Sequence, residues 1–127
     1  MVLNNIFLNN EILGQSLKAS QLRNTVISHN IANVDVVGFR RSLVEFENIL
    51  ETELTSAREE NRRVNLKNVS PVVHISAENT MHRNDGNNVD IEMEMVALYQ
   101  NSARYEVMSM SLMNNYRRIN VVLNSNI

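Results

Sequence analysis

Apolar and small residues recur in the last third of the chain at Ile91, Met95, Leu98, Ser102, Tyr105, Ser109, Leu112, Tyr116, Ile119 and Leu123, in alternating steps of four and three. That spacing marks a helix whose buried stripe repeats every 3.5 residues, the seam of a left-handed coiled coil. At about 1.5 Å per residue the helix would run roughly 50 Å, too long to bury itself against a small core, so it must lie along another helix. The N-terminal third supplies one. From about Asn9 to Asn33 a stripe runs through Ile6, Leu13, Leu17, Ser20, Asn24, Ile27 and Ile31, with a neighbouring one at Leu8, Ile12, Ala19, Leu22 and Val26. The two together are wider than a strict coiled-coil seam, which predicts contact with more than one neighbour. Ser20 and Asn24 interrupt the first stripe as Ser102 and Ser109 interrupt the C-terminal one. Small and amide side chains let helices approach closely, most of all at Ser102 and Ser109; a buried amide such as Asn24 can alternatively fix register.

Between these helices the pattern weakens. The first should stop near Asn33, where Asn33-Val34-Asp35 begins a polar break and Gly38 can take a backbone conformation closed to most residues. The segment after it is weakly helical, with Phe46, Ile49 or Leu50, and Leu54 on one face. Residues 56–67 are strongly charged; Glu59 and Arg63 stand at helical pairing distance on a solvated face. Val69-Ser70-Pro71 breaks any helix, Val72, Val73 and Ile75 make one short β-prone run, and Asn84-Asp85-Gly86-Asn87 reads as a turn. The composition of 64–88 predicts a loose segment, because it buries too little apolar surface to offset backbone ordering at roughly 1–2 kcal/mol per residue. Asn88 or Asp90 then caps the long helix, and Asp90, Glu92 and Glu94 sit where the helix dipole favours negative charge.

Composition narrows the chemistry. The 127 residues carry a formal net charge of −2, no cysteine and no tryptophan, only 5% aromatics, and twenty-one asparagines against three glycines and one proline. One domain, or one elongated unit, is the economical reading. Disulfides, thiolate metal sites and cysteine nucleophiles are excluded together. Few aromatics and many amides suit extended helical surfaces better than a catalytic core. Near-neutral charge gives no support for nucleic-acid binding, and no apolar run approaches the roughly 18–20 residues of a membrane span, so direct membrane insertion is not expected. Met1 to Asn10 lacks the pattern of a cleaved secretory signal, which leaves a cytoplasmic chain or export without cleavage. His29, His74 and His82 fall in no metal-ligand spacing; the stretch around Gly86 fails as a calcium loop because Met81, His82 and Arg83 stand where ligands are needed. Met93, Met95, Met108, Met110 and Met113 read as a deformable packing surface rather than a soft-metal site. No phosphate loop, nucleophile elbow or paired-carboxylate motif is present, so neither an enzyme nor a cofactor is expected.

The stretch Ser28-His29-Asn30-Ile31-Ala32-Asn33-Val34-Asp35-Val36-Val37-Gly38-Phe39-Arg40-Arg41 resembles the N-terminal signature of the bacterial flagellar rod and hook proteins, Asn-x-x-Asn-x-x-Thr-Pro-Gly-aromatic-basic. Asn30, Asn33, Gly38, Phe39 and Arg40 keep the pattern, and Val36-Val37 replaces its Thr-Pro. The match continues through Val44-Glu45-Phe46-Glu47 and through Asp85-Gly86-Asn87-Asn88-Val89-Asp90-Ile91-Glu92, which favours a proximal-rod subunit over other rod proteins of the family. The resemblance implies a mainly α fold: N- and C-terminal helices paired as an antiparallel coiled-coil hairpin over a seam of Leu13, Leu17, Ile27, Ile31, Ile91, Met95, Leu98, Tyr105, Leu112, Ile119 and Leu123. The implied divisions are a helix over 1–34, a middle over 35–88 with signature turn, short helix and little β, and a helix over 89–127, whose cap turn holds Asp85, Gly86, Asn87, Asn88 and Asp90. It further implies polymerisation with itself and other rod proteins into the flagellar drive shaft, contacts with basal-body ring and rod-adaptor proteins, and export through the type III gate without cleavage. Phe46 with Leu50 has the look of the short apolar motif such a gate reads. A helical adaptor or export chaperone, binding a partner along Ile91 to Leu123, is the alternative from another class.

Overall fold

The computed structural model describes residues 2–76 and 86–124. Helix α1 spans Val2–Ala32, strand β1 Ser42–Glu45, helix α2 Glu47–Glu59 and strand β2 Val72–Ile75, with a single 3-10 turn at Leu66–Asn68 before β2; helix α3 spans Ile91–Asn124. The fold is a hairpin of two long helices, α1 packed along α3, with a small α2 and β1–β2 module built against α1. Antiparallel pairing sets Ser42 opposite Ile75 and Glu45 opposite Val72.

α1 touches two neighbours through two faces, as its wide apolar sector predicts. Ala19, with Leu8 and Ile12, packs into a core with Phe46, Leu66 and Val69, flanked by Ile49, Leu50 and Val64. The other face lies against α3. Two expectations for the middle are revised. Leu43 and Val44 belong to a strand rather than a helix, because main-chain pairing with β2 and the side chain of Asn30 satisfies the backbone there. The stretch 64–76 is also more ordered than its composition suggests: Leu66 and Val69 are buried in the core, and Ser76 donates its N–H to the Arg41 carbonyl at 2.8 Å.

The charged segment has a structure of its own. α2 stops where Asn61 takes φ 49°, Arg62 N–H returns to the Ala57 carbonyl at 2.9 Å and Asn61 N–H to Arg58 at 3.3 Å, a left-handed stop that asparagine tolerates. Glu59 and Arg63 therefore do not share a helix. Instead Arg62 pairs with Glu53 at 2.6 Å and with Glu60 at 2.5 Å, while Glu53 also accepts the Asn65 N–H at 2.7 Å. The Arg62 guanidinium, then the Asn65 N–H, hold the Glu53 carboxyl below the usual carboxylate range, and Arg62 is shifted upward in return. Because the folded-state pKa is lowered, this tether is fully formed above the ordinary carboxylate value of about 4.3 and lost as pH falls through the folded value. Carboxyl chemical shifts should show Glu53 titrating below the ordinary carboxylate value on acidification, with Asn65 amide protection falling in step; a midpoint at the ordinary value would contradict the tether.

α3 begins at Asp90, whose Oδ1 accepts the N–H groups of Glu92 at 2.9 Å and Met93 at 3.2 Å. Of the two candidate caps, Asp90 fills the role. Asp90→Ala should cost about 1 kcal/mol in urea unfolding, the ordinary value of a lost N-cap.

Candidate functional site: the hairpin clasp and the two sides of α3

The two stretches that carry the family resemblance meet at the closed end of the hairpin, where the chain leaves α1 and enters α3. Asn30 is fully buried and its amide behaves as a third strand: Nδ2 donates to the Ser42 carbonyl at 2.8 Å, and the Ser42 N–H donates to Oδ1 at 2.9 Å. The same Nδ2 lies 3.1 Å from Oε2 of Glu94, whose other carboxylate oxygen pairs with Arg41 Nε. Asn87, also fully buried, sets its Nδ2 within 2.9–3.1 Å of the carbonyls of Asn33, Val34 and Val36, and its Oδ1 accepts the Val89 N–H at 2.8 Å. Asn88 Oδ1 takes the Arg41 N–H at 2.7 Å. The turn after α1 and the turn before α3 are thus one hydrogen-bonded clasp, and among the described residues no buried side-chain polar atom is left without a partner.

The remaining signature residues shape the redirected chain. Asn33 Nδ2 donates to the His29 carbonyl at 2.7 Å, and Val36 and Phe39 N–H groups close successive turns. Gly38 (φ +72°) and Gly86 (φ +81°) both take left-handed conformations and face each other, with a Cβ on Gly86 falling 3.8 Å from Gly38 Cα. Phe39 packs at a tilt against His29, ring centroids 5.6 Å apart, and Arg40 Nη2 donates to the Ser76 carbonyl at 3.1 Å. Asp85 and His82 lie outside the described residues.

The seam between α1 and α3 differs from the apolar stripe in rotational setting. Glu94 and Asn101 are buried, Met108 and Asn115 are partly buried, and with Leu98, Leu112 and Ile119 they form the side facing α1. Asn101 is held at three points: its Nδ2 donates to the Ser20 carbonyl and to Asn24 Oδ1, both at 2.7 Å, and its Oδ1 accepts from Ser20 Oγ at 3.0 Å. Asn115 Nδ2 donates to Asn10 Oδ1 at 2.9 Å. Leu13, Leu17, Ile27 and Ile31 of α1 occupy this side as buried or partly buried residues. By contrast Ile91, Met95, Tyr105, Tyr116 and Leu123 are exposed, and so is Ser102. The expected seam therefore needs correcting by one heptad position: Leu98, Leu112 and Ile119 stay inside, while Ile91, Met95, Tyr105 and Leu123 do not. Hydrogen bonding decides it, since Asn10, Ser20, Asn24 and Asn30 on α1 find their partners on α3 in the row one position round from the apolar one. For the same reason the close polar contact falls at Asn101, not at Ser102.

Phe46 is buried, and with Leu50 it lines an apolar recess closed by Ala103, Val107 and Met108 of α3. Among the described residues no group of three His, Cys, Asp or Glu side chains is placed to hold a metal ion, and no described helix is long and apolar enough to cross a membrane.

No family model matches the chain. Curated proteins do: it is 36% identical over 121 residues to the flagellar basal body rod protein FlgB of Borreliella burgdorferi, covering 84% of this chain and 89% of that protein. The chain belongs to the FlgB family of flagellar basal body rod proteins. FlgB of Bacillus subtilis is 29% identical over 115 residues, with 87% of this chain and 89% of the relative covered. The flagellar hook protein FlgE of Treponema pallidum matches over 82 residues at 33% identity, 58% of this chain but 18% of the hook protein. With most of its length matched to FlgB proteins, this FlgB-family chain is a structural subunit of the basal-body rod.

Proposed function

We propose that the chain builds the rod by polymerising through the outward side of α3, and that its role is structural rather than catalytic. One observation carries this reading: Met95, Tyr99, Met110, Met113, Tyr116 and Leu123 are all exposed along a single helix. A row of large apolar side chains of that length marks a surface that other chains cover. Burying each such side chain contributes roughly 1.5–3 kcal/mol, which lateral copies supply and an isolated hairpin forgoes. Further copies of the chain and other axial proteins of the flagellum are the proposed neighbours, with ring and rod-adaptor proteins at the proximal end.

The chain would divide into working parts at 1–34, 35–88 and 89–127: two hairpin helices for assembly, and a middle whose signature turn, through Asn30, Asn33, Gly38, Phe39 and Arg40, holds the short module at a fixed angle to them. Export without cleavage through the type III gate fits a small subunit that must pass the inner membrane. If Phe46 and Leu50 are read by that gate, they are read before folding, because Phe46 is 2% exposed in the folded chain.

A deletion strain tests the proposal. It should lose motility and lack assembled rods and hooks by electron microscopy, with both restored by the wild-type gene. Intact hook–basal bodies in the deletion would refute it.

A further inference from the structure

We infer that the polar layers inside the hairpin are specificity determinants, which hold α3 in the one rotational setting that leaves its apolar row outside. The inference rests on the assembly reading above and adds to it what keeps the assembly surface available. α3 carries two adjacent seams that share the row of Leu98, Leu112 and Ile119. On one side of that row lie Glu94, Asn101, Met108 and Asn115; on the other lie Met95, Ser102, Ser109, Tyr116 and Leu123. Turning α3 by about 50°, one heptad position, would exchange them.

By burial alone the second seam is the better partner for Leu13, Leu17, Ile27 and Ile31 of α1. It would cover Met95, Tyr116 and Leu123, which are 37%, 55% and 67% exposed as the chain stands. The first seam wins because its polar members meet polar members of α1 at matching heights: Asn30 with Glu94, Ser20 and Asn24 with Asn101, Asn10 with Asn115. Rotation would put Ser102 in place of Asn101 opposite Ser20 and Asn24, and Tyr116 in place of Asn115 opposite Asn10; a single hydroxyl cannot remake the three hydrogen bonds of the Asn101 amide, a cost large enough to decide between two settings of one hairpin. The layers thus prevent the hairpin from consuming, within one chain, the surface that joins it to others.

The three tyrosines all lie on α3, at Tyr99, Tyr105 and Tyr116, and the chain has no native cysteine, so rotation can be read directly. A variant with Ser20→Ala, Asn24→Leu and Asn101→Leu makes the central layer apolar. In the purified chain its Tyr116 should be nitrated about tenfold more slowly than in the wild type, while Tyr99, which stays outside in both settings, reacts at the same rate. A cysteine pair at Asn10→Cys and Asn115→Cys, whose parent side chains touch, should cross-link rapidly in the otherwise wild-type chain and about tenfold more slowly beside the apolar layer. Unchanged nitration and cross-linking in the triple variant would overturn the inference. Loss of helical content would overturn it equally, since an apolar layer is expected to fold at least as well; Asn101→Leu alone provides a second reading of the same rates. These measurements are made on the free chain, so they fail independently of the rod assignment, which the deletion strain tests.

Discussion

Arg41→Ala is expected to destabilise the folded chain by about 3–5 kcal/mol, the cost of leaving a buried ion-pair partner without its counter-charge. Glu94 is 0% exposed; Arg41 brings a cation to its Oε1, while Asn30 holds Oε2. Arg41 itself is one-fifth exposed, so partial access of water should keep the loss toward the lower end of that range. Urea unfolding followed by helical circular dichroism measures it. Replacing both members, Arg41→Met with Glu94→Met, should recover most of the stability, because the single change is costly through the orphaned carboxylate and not through a large net value of the pair. A loss below about 1 kcal/mol for Arg41→Ala would place the clasp among ordinary surface ion pairs. Amide exchange should resolve where the damage falls: Ser42 N–H, held by Asn30, and Arg41 N–H, held by Asn88, should lose protection before the middle of α1 does.

The long helices are legible in the sequence because a four-three spacing sustained over thirty residues fits a paired helix and neither a strand nor a loop, and the β-prone run at Val72, Val73 and Ile75 stands out after Pro71. β1 is not legible. Its four residues are continuous with the apolar positions of α2, and what makes them a strand is a partner thirty residues later together with one amide side chain on α1. The identity of the clasp residues in the two turns follows from the family resemblance, but their meeting does not, since only the folded hairpin brings Asn87 to the carbonyls of Asn33, Val34 and Val36. The rotational setting of α3 escapes a count of apolar residues for a physical reason. Such a count selects the richer stripe, yet the seam is selected by pairwise hydrogen bonding. A signal for it exists in the sequence: polar residues interrupt α1 at Asn30, Asn24 and Asn10, in steps of six and fourteen, and the row of Glu94, Asn101 and Asn115 on α3 answers in steps of seven and fourteen, the match two antiparallel helices require. Taken as a pair, the interruptions predict the seam that the apolar residues alone do not.

Tyr116→Asp is expected to abolish rod assembly while leaving the free chain as stable as the wild type. Tyr116 is more than half exposed and lies on the side of α3 turned away from the Asn101 row, so thermal unfolding of the purified variant should move by no more than about 0.5 kcal/mol. In the proposed polymer the same position would be covered by another chain, where a carboxylate would be desolvated without a partner, at a cost of several kcal/mol in every copy. Met95→Asp should behave alike. Leu112→Asp provides the contrast, because Leu112 is partly buried on the side facing α1: its charge enters the hairpin itself, so the isolated chain should lose stability, about 2 kcal/mol or more, in addition to losing assembly. The pair of phenotypes separates the two sides of one helix. Normal swimming in a strain carrying Tyr116→Asp would remove the outward row from the assembly surface, whereas unfolding of the purified Tyr116→Asp chain would mean that the row serves the hairpin after all.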